Sequence, residues 1–151
     1  MAVVWHLKST MKTANSYVYF ALNGEDFDPS IVTRTIGIEP TEHFRKGDKG
    51  RYNPSLKHSC WKLSTGKGIE PIHLDNLVSE IVDQLYNKIE VINKLKKELK
   101  LTSVLEIVMD IDINPDQSTP ALGHDLKTIE FLYKTKTTTD IDIYRFDSTK
   151  N

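Results

Sequence analysis

The sequence predicts an α+β fold: a ferredoxin-like α/β sandwich, with a four- to five-stranded, mainly antiparallel sheet and helices on one face. Two observations lead there. Short β-branched and aromatic runs alternate with segments whose apolar residues recur every three or four positions, in the order β-α-(β)-β-α-β-α-β. Two β-α-β halves therefore flank a longer central helical region.

Tyr17 to Leu22 is β-branched and aromatic and runs into the turn-forming cluster Asn23-Gly24-Glu25-Asp26, so it is the first strand. Asp28-Pro29 then supplies a helix N-cap followed by proline at the first helical position, and Gly37 supplies the stop. Ile31, Val32, Thr35 and Ile36 fall on one stripe of this short helix. Residues 40 to 58 read as a long loop with an edge strand near His43-Phe44-Arg45. Cys60 to Ser64 alternates as a strand with Trp61 and Leu63 inward, closed by Gly66-Lys67-Gly68.

The strongest helical signal spans residues 73 to 100, where Leu74, Leu77, Val78, Ile81, Leu85, Ile89, Ile92, Leu95 and Leu99 keep helical spacing. An unbroken helix of that length would measure about 42 Å, too long for one small domain, so a break near Asn87 is expected. Val104 to Ile113 is a long strand, Pro120 to Lys134 a helix with Leu122, Leu126, Ile129 and Leu132 inward, and Asp140 to Phe146 the last strand. The expected core joins Phe20, Leu22, Trp61, Leu63, Ile107, Ile111, Ile141 and Ile143 to Leu77, Ile81, Leu85, Leu126 and Ile129.

Composition narrows the function. Hydrophobic residues at 38% and charged residues at 27% fit neither a disordered tail nor a membrane protein. A domain of this size buries roughly two-thirds of its unfolded surface, enough for a core without disulfides or metal. With 20 basic and 21 acidic side chains the net charge is −1, which removes the bulk electrostatic case for nucleic acid or an anionic membrane. The single cysteine, Cys60, excludes an intramolecular disulfide and a Cys₄ or Cys₂His₂ zinc site. The first ten residues are too polar for a secretory h-region, and the longest apolar run, Tyr17 to Leu22, is far too short to span a bilayer. The expected location is the cytoplasm. Met11 offers an alternative start, and the expected division is a leader or extra strand over residues 1–15, one α+β domain over 16–147 and a tail over 148–151.

Chemistry-bearing patterns are few. Ser64-Thr65-Gly66-Lys67-Gly68 lacks the spacing of a phosphate loop. His58 and Cys60 share a strand face with no third group, so Cys60 reads as a buried structural thiol. The histidines at 6, 43, 58, 73 and 124 show no metal-binding spacing, and neither a metal nor a cofactor is expected. No catalytic constellation survives, and no enzymatic activity is expected.

Charge is nevertheless segregated. The stretch from 43 to 67 carries seven bases against the single acid Asp48, whereas residues 106 to 147 carry nine acids against four bases. Asp110-Ile111-Asp112-Ile113 and Asp140-Ile141-Asp142-Ile143 are the same tetrapeptide in two strands, and alternation puts each aspartate pair on one face. Asp110, Asp112, Asp140 and Asp142, with Tyr144 beside them, are the candidate docking face for a basic partner; the bland alternative is a solvated strand face. Arg45, Lys46, Lys49 and Arg51 are the alternative site, for an anion or nucleic acid, against the plainer reading of a loop folded onto acidic neighbours.

Phe27-Asp28-Pro29, Val32-Thr33, Ile36-Gly37-Ile38, Pro40-Thr41 and Lys46-Gly47-Asp48, followed by Trp61 to Gly66, His73-Leu74 and Asp140 to Tyr144, resemble a group of small bacterial proteins catalogued as a domain of unknown function. The resemblance brings no catalytic residue. It implies a cytoplasmic binding protein, of the immunity kind that neutralises a toxin by direct contact. That is the leading expectation; a ligand- or nucleic-acid-binding module using the basic loop 43–67 is the other.

Overall fold

A computed structural model describes residues 15–67 and 73–150. The expected leader over residues 1–15 therefore lies, apart from Asn15, outside the described residues, as does Gly68. The elements are β1 (Tyr17–Gly24), α1 (Pro29–Ile36), β2 (Glu42–Phe44), β3 (Ser59–Ser64), α2 (Leu74–Leu85), a 3₁₀ turn (Tyr86–Lys88), α3 (Ile89–Leu99), β4 (Thr102–Asp112), α4 (Leu126–Thr135) and β5 (Thr138–Phe146). The sheet order is β2-β3-β1-β4-β5, antiparallel at every pairing except β4 with β5. The layers are those of a ferredoxin-like sandwich, with helices on one face of a five-stranded mixed sheet. Its connectivity places the parallel pair at one edge, where α4 carries the chain from β4 to β5.

Local chemistry sets the boundaries. The Asp28 carboxylate accepts the Ser30 N–H at 2.9 Å, Pro29 opens α1, and Gly37 ends it at φ 77°, in the left-handed region that favours glycine. The central helical region breaks at the 3₁₀ turn that contains Asn87. Asp125 caps α4 by accepting the Thr128 N–H at 2.7 Å. The resembling runs also hold one another: the Trp61 indole donates to Thr33 Oγ1 at 3.0 Å, and Thr41 Oγ1 accepts the Ser64 N–H at 2.8 Å.

The core lies between the sheet and the helices. Val18, Phe20 and Leu22 of β1, Trp61 and Leu63 of β3, and Leu105 and Ile107 of β4 pack against Val32 and Ile36 of α1, Val78, Ile81 and Leu85 of α2, and Ile92 and Leu95 of α3. Leu77 and Ile111 join it half-buried.

The last third of the chain departs from expectation. The α4 helix begins at Leu126 rather than Pro120, and its inward stripe is Thr128, Phe131 and Thr135. Phe131 is fully buried, edge-on to Phe20 with ring centroids 5.8 Å apart, which turns Leu126 and Ile129 outward to 84% and 50% exposure. Ile141 and Ile143 were expected in the core but are 42% and 59% exposed. They do point to the helix side, opposite Ile107 and Met109, but they sit on the outermost strand, and α4 packs against α2 and α3 instead of over them. Ile31 of α1 is likewise exposed; Val32 and Ile36 are the residues that turn inward.

Candidate functional site on the open sheet face

Strand alternation turns one side chain set away from the helices: Tyr17 and Tyr19 of β1, Lys62 of β3, Glu106, Val108 and Asp110 of β4, and Asp140, Asp142 and Tyr144 of β5. Register arranges them in rows. Tyr19 lies opposite Glu106, and Glu106 opposite Asp140; Tyr17 lies opposite Val108, and Val108 opposite Asp142; Asp110 lies opposite Tyr144. The two Asp-Ile-Asp-Ile segments are thus on neighbouring strands but displaced by four residues, so their aspartates never face each other directly.

A tyrosine stripe divides this face by charge. The Tyr17 and Tyr19 rings are stacked with centroids 6.2 Å apart. On one side the Lys62 ammonium stands 4.6 Å over the Tyr19 ring and the Lys67 ammonium 5.4 Å over Tyr17, both at cation–π distance. On the other side are the carboxylates of Glu106, Asp110, Asp140 and Asp142. Lys62 is also neutralised from the opposite direction by Glu42, at 2.9 Å.

Glu106 is the unusual member. It is only 6% exposed, and its Oε1 has no hydrogen-bond partner. Burial raises its pKa, and the charges of Asp140 and Asp142, together with a hydrogen bond to Asp142, push it further in the same direction. Tyr19 is pushed up to about 12, by burial first and by the Glu106 charge second. Burial and the two neighbouring aspartates both favour the protonated form of this carboxyl, and a cation beside it would favour the ionised one. Among the described residues, no group of three or more His, Cys, Asp or Glu side chains is placed to hold a metal ion. The acids are spread along two strands, a layout that suits several separate cations better than one central ion.

Of the residues singled out from sequence, Asp110, Asp140, Asp142 and Tyr144 come together on this face. Asp110 also accepts the Asn15 N–H at 2.9 Å. Asp112 belongs to the strand end: its Oδ1 accepts the Asn114 and Ser148 N–H groups at 3.0 and 3.1 Å. Burial would raise that carboxyl, but the hydrogen bonds from Ser148 and Asn114 hold it below its usual value. The basic loop is partly neutralised from within. Arg45 approaches Asp26 at 3.9 Å, Lys46 meets Glu25 at 3.1 Å, and Arg51 lies 5.3 Å over the Tyr52 ring, while Lys49 has no ion pair among the described residues. Cys60 is buried, with a thiol pushed up to about 11 chiefly by that burial, as a structural residue would be.

Sequence reasoning missed Glu106. The signal was present: it is the lone acid inside the apolar run Val104-Leu105-Glu106-Ile107-Val108-Met109. A cavity of about 320 Å³ lies elsewhere, between α2 and residues 121–125, and includes Asp75, His124 and Asp125; none of the sequence-predicted site residues lines it.

Fold and face together define an α+β sandwich with a charge-divided open sheet. The family model for a domain of unknown function, DUF4279, matches residues 13–146, and the chain belongs to that family. No curated protein and no solved structure matches it.

Proposed function

We propose that the protein is a non-enzymatic binding module that docks a basic protein domain on the Glu106–Asp110–Asp140–Asp142 half of its open sheet face, and specifically that it neutralises a toxin in the bacterial cytoplasm. The observation that carries this reading is Glu106, a buried carboxyl with an unpartnered oxygen and two exposed aspartates beside it. A lysine or arginine from a partner would supply the missing hydrogen bond and relieve the repulsion, a gain realised only in the complex. Tyr144, 57% exposed and opposite Asp110, offers a packed anchor with a polar tip. A nuclease toxin fits this chemistry because its substrate groove is positive in order to hold phosphates. The internal pairing of Arg45 and Lys46 favours the acidic face over the basic loop.

The test is growth rescue. Co-production with the product of the gene beside it, which this reading makes a toxin, should protect the host. The double variant Asp140→Lys, Asp142→Lys should lose that protection at unchanged melting temperature. Protection retained by the folded double variant, or an adjacent product that is not toxic, would overturn the proposal.

A further inference from the structure

The two edges of the sheet are finished very differently. β2 is three residues long, which leaves little backbone for another strand to pair with. β5 is nine residues long and, among the described residues, pairs with a strand on one side only, β4. Its outer edge is a row of N–H and C=O groups that, among the described residues, meets no other strand, although the Ile141 N–H is bonded at 3.0 Å to the Asp140 carboxylate. Beside that row, Ile141 and Ile143 remain 42% and 59% exposed on the helix side. A strand of this length with two exposed isoleucines is a template for one more strand.

We infer that β5 pairs antiparallel with β5 of a second copy of this chain, joining two five-stranded sheets into one of ten strands. For two copies of this chain, the sequence of β5 restricts the register. A two-fold axis perpendicular to the sheet keeps both helix layers on the same side and opposes residues of like face, so the pairing must centre on a residue. Centring on Asp142 sets two carboxylates directly against each other; centring on Ile141 sets Asp140 against Asp142 twice. Centring on Ile143 or on Tyr144 avoids both, but Ile143 pairs residues 140–146 of each strand and Tyr144 only 142–146, so Ile143 gives the longer ladder. Ile143 then meets Ile143 of the second copy, Asp142 meets Tyr144, whose hydroxyl can donate to it, and Ile141 packs on the aliphatic stem of Arg145. The two Asp142 carboxylates become diagonal neighbours roughly 7–8 Å apart, so association tightens as salt rises. Glu106, Asp110 and Asp140 of the open face lie outside these contacts, whereas Asp142 and Tyr144 take part in them.

Cysteine cross-linking reads the register directly, because the native Cys60 is buried with a raised pKa and stays silent. The full chain should sediment at twice its 17.3 kDa mass, with the dimer fraction rising with protein and salt concentration. Ile143→Lys opposes two ammonium groups on the axis and should return a folded monomer. Under mild oxidation Ile143→Cys should form a covalent dimer, Asp142→Cys alone should not, and the pair Asp142→Cys, Tyr144→Cys should. A monomer at every concentration, a dimer indifferent to Ile143→Lys, or cross-linking by Asp142→Cys alone would overturn the proposed pairing.

Discussion

Replacing Glu106 by glutamine tests the electrostatics of the open face without removing any packing volume. The wild-type carboxyl is 6% exposed with one oxygen unpartnered. It holds its proton more tightly in the fold than in the unfolded chain, where its pKa is near 4.5. The ionised form therefore penalises the fold: stability is greatest below about that value and declines as pH rises through the higher folded pKa. Glutamine is neutral at every pH, and its amide offers Asp142 a donor that the ionised carboxylate lacks. Leaving a buried polar group unsatisfied costs about 1–3 kcal/mol, more if charged, and the variant should recover part of that, about 1–2 kcal/mol at pH 7. For a chain of this length the gain corresponds to a melting temperature higher by about 2–8 °C. Calorimetry of both proteins between pH 4.5 and 7.5 is the assay. The gain should shrink toward zero at the acid end, while affinity for a basic partner falls. Equal or lower stability of the variant at pH 7, with an unchanged pH slope, would refute the assignment of Glu106 as a strained carboxyl.

Ile81→Ala removes a fully buried side chain from the middle of α2 and should cost about 2–5 kcal/mol in urea denaturation; a loss below about 1 kcal/mol would mean that the site collapses around the cavity. Thr33→Val leaves the buried Trp61 indole without its acceptor and should cost about 1–3 kcal/mol, with a shift in tryptophan fluorescence. Asp28→Ala should lower the melting temperature through loss of the α1 cap, whereas Asp28→Asn, an equally good capping residue, should leave it nearly unchanged. Because the Ser30 hydrogen bonds hold the Asp28 carboxyl below its usual pKa, its stabilising contribution is present above about pH 4 and fades as pH falls through the lowered value.

The sequence by itself determined the element order, because the signals behind it are local. Asp28-Pro29 and Gly37 satisfy or terminate a helix end within a few residues of themselves, and the break at Asn87 follows from domain size alone. Alternation also assigned the aspartates of β4 and β5 correctly to one face, since a period of two is a property of a single strand. Tertiary structure decided what alternation cannot: which strands are neighbours, and in what register. That offset places Asp140 beside Glu106 and not beside Asp110. It also made β5 an edge strand, so Ile141 and Ile143, apolar and correctly oriented, had no helix to cover them. In α4 the stripe through Leu126 and Ile129 competed with the one through Thr128 and Phe131. Periodicity weighs such stripes by hydrophobicity alone, whereas the fold chose the one whose phenylalanine reaches Phe20. Burial depends on what lies opposite a side chain, and that is set by parts of the chain too distant to leave a local pattern.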